Sequence, residues 1–114
     1  MYVGEPAIRP SEGLLESVRE IARRYRAVLA AYAFNMLVEK EGKPTLVIGL
    51  VIDSAAMLAN DSRVVMEAVM RQTQPWIESG KYVDFRRFDP SHPLLEAVAR
   101  LVKPFYERTK AFPN

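Results

Sequence analysis

Between residues 11 and 25 apolar and charged positions alternate with the period of a helix. Leu14, Leu15, Val18, Ile21, Ala22 and Tyr25 fall on one side, and Glu16, Arg19, Glu20, Arg23 and Arg24 on the other. Ser11, following Pro10, is placed to cap this helix, with Glu12 and Glu16 near the positive end of its dipole. Glu20 stands four residues before Arg24, the favourable order for a surface pair. Ahead of the helix, Met1 to Gly4 reads as a short edge strand leading into a proline-containing connection.

The texture then changes. "AVLAAYAFNMLVEK" and "PTLVIGLVID" are continuously apolar, rich in β-branched and aromatic residues, and separated by "KEGK" with a turn at Gly42. They predict an antiparallel hairpin. Strict alternation would place Val28, Ala30, Tyr32, Phe34 and Met36 on one face and Leu29, Ala31, Ala33, Asn35 and Leu37 on the other. Leu46, Ile48, Leu50 and Ile52 similarly oppose Thr45, Val47, Gly49 and Val51. A half-solvated antiparallel strand would be polar on one side, so both faces of this hairpin require cover.

A second helix, capped by Asp61 or Ser62, carries Val65, Met66, Val69, Met70, Trp76 and Ile77. Pro75 predicts a kink or restart within it, and Gly80 a stop. "KYVDFRRF" predicts a strand with Val83 and Phe85 on one face and Tyr82, Asp84 and Arg86 on the other. "DPSHP" is turn and cap chemistry, with Ser91 or His92 as the cap. Leu94, Leu95, Val98, Leu101 and Val102 then form a third helix that Pro104 ends. The order β-α-β-β-α-β-α predicts an α+β domain: a two-layer sandwich with three helices on an antiparallel sheet of about four strands, for which a ferredoxin-like core is one arrangement.

Composition agrees with a single domain spanning residues 1–114, with a tail over 109–114 expected to be mobile. The chain is 49% hydrophobic and 26% charged, proportions of a globular protein large enough for its own core. It contains no cysteine, which removes disulfide and thiolate chemistry and favours a cytoplasmic setting. No leader pattern opens it, and no apolar run approaches the ~20 residues of a membrane helix. The net charge is +2 and the isoelectric point about 9.0. A local bias exists at residues 100–110, where Arg100, Lys103, Arg108 and Lys110 outweigh Glu107. That is too small for a nucleic-acid arm.

Most chemistries lack their residues. One histidine and no cysteine exclude zinc-finger spacing, and the five glycines are scattered singly, so no phosphate loop is present. Neither a metal nor a cofactor is expected. Asp89, Ser91 and His92 adjoin in sequence, which suits a turn and cap rather than a catalytic triad. Asp84 and Arg86, two apart on one strand face, form either a surface pair or half of a polar recognition site. Tyr32, Tyr82, Phe85 and Arg86 would have to share a sheet face to stack bases, and the sequence signature for that is missing, so no nucleic-acid partner is expected.

"VGEPAIRP", an amphipathic helix, "AAYAF", "LVIGLVID", "VDFRRFD" and the closing "KPFYER" together resemble the C-terminal domain of the SseB family, named for enhanced serine sensitivity. The resemblance covers Val3 to Arg108. It implies a small bacterial α+β domain, usually preceded by another domain, with no established catalytic activity and no catalytic residue to carry over. A domain accustomed to such a neighbour would be expected to leave apolar surface uncovered, and the hairpin faces answer that description. The expected function is therefore a non-enzymatic interaction or regulatory module that self-associates, as a dimer through its apolar sheet face, or that meets a separate partner domain. The alternative is an amino-acid-related small-molecule or enzymatic domain. Candidate interaction residues are Tyr32, Phe34, Asp84, Arg86, Tyr106 and Arg108. In the tail, Pro104 and Phe105 form a structural plug on the core, and Tyr106 and Arg108 are expected to project outwards.

Overall fold

The computed structural model describes residues 2–4, 10–37, 45–55, 61–77 and 83–108. The elements are β1 (Tyr2–Gly4), α1 (Glu12–Arg24), β2 (Val28–Leu37), β3 (Thr45–Ile52), α2 (Asp61–Thr73), β4 (Val83–Phe88), α3 (Pro93–Leu101) and β5 (Tyr106–Glu107). Met1, the turn at Gly42, the stop at Gly80, Tyr82 and the tail from residue 109 lie outside the described residues.

The described residues form an α+β architecture, with three helices and a mixed sheet in the order β1-β2-β3-β4. β1–β2 and β2–β3 are antiparallel, as expected, but β3 and β4 run parallel. The reason lies in the connection: α2 carries the chain back across the sheet before β4 begins, as a parallel pair requires. Because the strands lie side by side in chain order, neither strand-helix-strand unit is split by an intervening strand, and the core is not ferredoxin-like. A short strand unseen in the sequence, β5, pairs with β2 at Ala30 and Ala31, while β1 pairs with the same strand at residues 35–37. The sheet edge beside β2 is thus shared by both ends of the described chain.

Helices cover both faces, which makes three layers rather than two. On one face, α1 and α2 bury Val18, Ile21, Ala22, Val65 and Val69 against Ala31, Ile48, Leu50 and Ile52. On the other, Val98 of α3 packs on Phe34, Met36, Val47 and Phe88. The two-sided apolar hairpin is therefore covered within the chain. Phe34, Val47, Ile48 and Leu50 are all 0% exposed, and Met36 is 2% exposed. One alternation fails: a bulge between Val28 and Ala30 leaves Leu29 without a partner on β3 and turns Val28 to the α1–α2 side.

Local chemistry accounts for the helix ends. Ser11 Oγ accepts from the Leu14 amide at 3.1 Å, capping α1. α2 stops at Thr73, whose hydroxyl donates to the Val69 carbonyl at 2.8 Å, and a single 3₁₀ turn, Gln74–Trp76, carries Pro75. Ser62 lies inside α2, where its hydroxyl accepts from Arg87 at 2.7 Å. The sole tryptophan, Trp76, lies against Gly13 of α1 so closely that a Cβ there would overlap the indole. Gly49 has a similar purpose in β3. A Cβ at that position would stand 2.6 Å from the Phe88 ring and 3.2 Å from Phe34, whose ring centroids are 6.4 Å apart.

Candidate functional site

The residues marked by sequence separate into four places. Phe34 is a core residue beneath α3 and has no surface to offer. Phe105, Tyr106 and Arg108 belong to the segment that follows α3 and returns to the edge of β2. Phe105, after Pro104, packs against the α1–α2 core. Its amide donates to the Ala31 carbonyl at 2.9 Å, and its own carbonyl accepts from Arg19 Nε at 3.0 Å. The Arg19 guanidinium also lies 5.7 Å above the Phe105 ring.

Tyr106 and Arg108 do not project outwards. Tyr106 packs against the same core, with its hydroxyl 3.5 Å from the Ala22 carbonyl. Arg108 reaches the C-terminal end of α1, where helix carbonyls lack intrahelical donors. Its Nη2 donates to the carbonyls of Ala22 at 2.8 Å and Tyr25 at 3.0 Å, and its Nε to that of Val28 at 3.1 Å. A planar guanidinium suits this, since its donors are held in a fixed fork. These residues are fastenings of the fold.

Asp84 and Arg86 occupy β4, which among the described residues pairs with β3 alone and so ends the sheet. Arg86 Nε donates to Asp84 Oδ2 at 2.7 Å, with the side chains 40% and 24% exposed. Phe85 turns the other way, under α1 and α2. Tyr32 and Arg86 therefore do not share a face with Phe85, and among the described residues, which leave out Tyr82, no base-stacking platform is assembled.

Tyr32 lines a cavity of about 430 Å³ between the start of α3 and the sheet, with Ala30, Val51, Ser91, His92 and Glu96. Asp84 and Arg86 are not part of its wall. The loop before α3 is rigidly built. Asp89 Oδ1 accepts from the Ser91 amide at 2.9 Å and from its hydroxyl at 2.6 Å. These bonds, with one from Ser54, hold the Asp89 carboxyl below its ordinary pKa. Of the two expected caps, His92 is the one that acts: Nδ1 accepts from the Leu94 amide at 3.1 Å, and its ring meets Phe88 edge-on at 5.1 Å. Burial pushes the Tyr32 phenol pKa up, and the charge of Glu107 adds to it. Sequence reasoning missed Glu96 and Glu107 here. Their only signal was spacing relative to α3 and β5, and β5 itself was not foreseen.

Among the described residues no group of three or more His, Cys, Asp or Glu side chains is placed to hold a metal ion, and no helix is long and apolar enough to cross a membrane. The SseB protein C-terminal domain family matches residues 1–108, nearly the whole chain, and the chain belongs to that family. Comparison with curated proteins and with solved structures found no match.

Proposed function

We propose that this domain is a non-enzymatic interaction module that self-associates, and that it does so through the edge of β4 instead of the sheet face. The observation carrying this reading is the acid–base alternation on a strand that, among the described residues, is paired on one side only. An unpaired edge presents a row of backbone N–H and C=O groups, and proteins commonly guard such edges with charge. Here the guard is of mixed sign, with Asp84 and Arg86 two residues apart on one face. Two copies of β4 laid antiparallel about a two-fold axis at Phe85 would place each Asp84 opposite Arg86 of the second copy. Opposite charges in such cross-strand positions are stabilising and like charges are not, so this register is self-complementary. Only Nε of Arg86 is engaged by Asp84, which leaves its two terminal nitrogens for the facing carboxylate. The joined sheet would be continuous across both copies.

The amino-acid-related alternative expected Asp84, Arg86 and Tyr32 in one pocket, and Asp84 and Arg86 do not line the Tyr32 cavity, which favours the interaction reading. Light scattering coupled to size exclusion, run over a range of concentrations, tests the proposal. The expected result is a concentration-dependent rise to twice the 13.0 kDa chain mass, with slowed amide exchange over residues 83–88. A monomer at every concentration overturns it.

A further inference from the structure

We infer that the cavity between α3 and the sheet binds a small organic cation, an amine carried on a short apolar body. Its volume, about 430 Å³, is that of an ordinary small-molecule site. The wall is largely apolar, with Ala30, Val51, Leu95 and Ala99 exposed to the space. The polar groups that remain determine the sign of the ligand.

Among the described residues no lysine or arginine lines the cavity. A helix N-terminus would ordinarily offer amides to an anion, but the start of α3 has committed its own. Pro93 has no N–H, the Leu94 amide donates to His92 Nδ1, and the Leu95 amide donates to the His92 carbonyl at 3.1 Å. The Ser91 hydroxyl gives its hydrogen to Asp89, so only its lone pairs are left. With His92 Nδ1 accepting, its proton sits on Nε2, and the Tyr32 hydroxyl is the other side-chain donor on this wall. A carboxylate or phosphate would therefore meet only neutral donors and no cation among the described residues.

Acceptors are more plentiful. Glu96 lines the cavity, and its pairing with Arg100 at 2.9 Å is solvent-exposed and uses Oε1, leaving Oε2. Glu107 lies cross-strand from Ala30 and therefore on the same face. Its charge is felt at Tyr32, where it helps to raise the phenol pKa. The Tyr32 ring adds an aromatic wall, which attracts ammonium groups. The result is a negative, acceptor-rich rim over an apolar floor.

Three probes with the same phenyl-ethyl body separate the possibilities: phenethylamine, phenethyl alcohol and 3-phenylpropionate. Each is titrated into isotopically labelled protein and followed by amide chemical shifts. Phenethylamine is expected to give saturable shifts at Ala30, Tyr32, Val51, Leu95 and Ala99, with 3-phenylpropionate at least about tenfold weaker and the alcohol between them. The exposed substitutions E96Q and E107Q should each weaken phenethylamine about threefold without altering the shift pattern elsewhere. Equal binding of the three probes, tighter binding of the acid, saturation at residues away from the cavity, absence of saturation, or indifference to both substitutions overturns the inference.

Discussion

Replacing Arg108 with alanine removes three hydrogen bonds that span 80 to 86 residues of sequence. Each joins a charged donor to a main-chain carbonyl in a partly buried place, and such bonds contribute about 1 kcal/mol net, more where desolvation is fuller. The loss of three, with water able to reach some of the released carbonyls, is worth about 3 kcal/mol. An exposed surface arginine would cost near zero, so the magnitude distinguishes the two roles. Urea unfolding followed by far-UV circular dichroism measures it. With a slope of about 1–3 kcal/mol per molar, the midpoint should fall by roughly 1–3 M at unchanged slope. Lysine at the same position keeps the charge but not the planar fork, and should recover about half of the loss. A loss below about 0.5 kcal/mol in the alanine variant would refute the fastening role. So would a lysine variant equal to wild type, since the geometry of the fork would then be irrelevant.

Other features of the fold give equally direct outcomes. G49A forces a methyl group between Phe88 and Phe34 and should destabilise by about 1–3 kcal/mol in the same assay, as overpacking does, whereas an open strand position would tolerate it. G13A should push Trp76 off α1, seen as a red shift in the emission of the single tryptophan. A rise in melting temperature with unchanged emission, the usual benefit of alanine in a helix, would contradict the packing. The folded protein binds a proton at Asp89 less readily than the unfolded chain does, so in acid the unfolded state takes up more protons. The stability Asp89 contributes is present above the usual Asp pKa of about 3.9 and is lost as pH falls through its lower folded value. D89N should therefore flatten the acid limb of the stability–pH curve, and an identical limb in both proteins would count against the turn as drawn.

How much of this was legible in the sequence differs by element. α1 declared itself through period and cap, because its apolar stripe, Ser11 and first-turn Glu12 all agree. The hairpin was legible as two buried strands, and its demand for cover on both faces was right. What no local pattern could say was that the cover came from α3, since an amphipathic stripe at Leu94, Leu95 and Val98 fits either face of a sheet. The parallel β3–β4 pair was foreshadowed by the strand-helix-strand order, but adjacency in space is a global property. The bulge near Leu29 was hidden because every residue around it is apolar, so a change of face leaves no trace in hydropathy. Arg108 was misread for a related reason: its partners are main-chain carbonyls, and those are the same whatever the sequence. Of the candidate sites, the Asp84–Arg86 pair was visible as a spacing of two. The cavity at Tyr32 was not, being assembled from β2, β3 and the turn before α3.

Self-association through β4 is tested most directly by mixing two charge variants. D84R leaves two positive side chains on the edge and R86D two negative ones, so each alone faces repulsion from a second copy in the register about Phe85. Each is expected to be monomeric by light scattering at concentrations where the wild type is dimeric. An equimolar mixture restores opposite charges at both crossings and should form a heterodimer of twice the chain mass. Dimers of either variant alone, or a mixture that stays monomeric, would contradict pairing through the β4 edge.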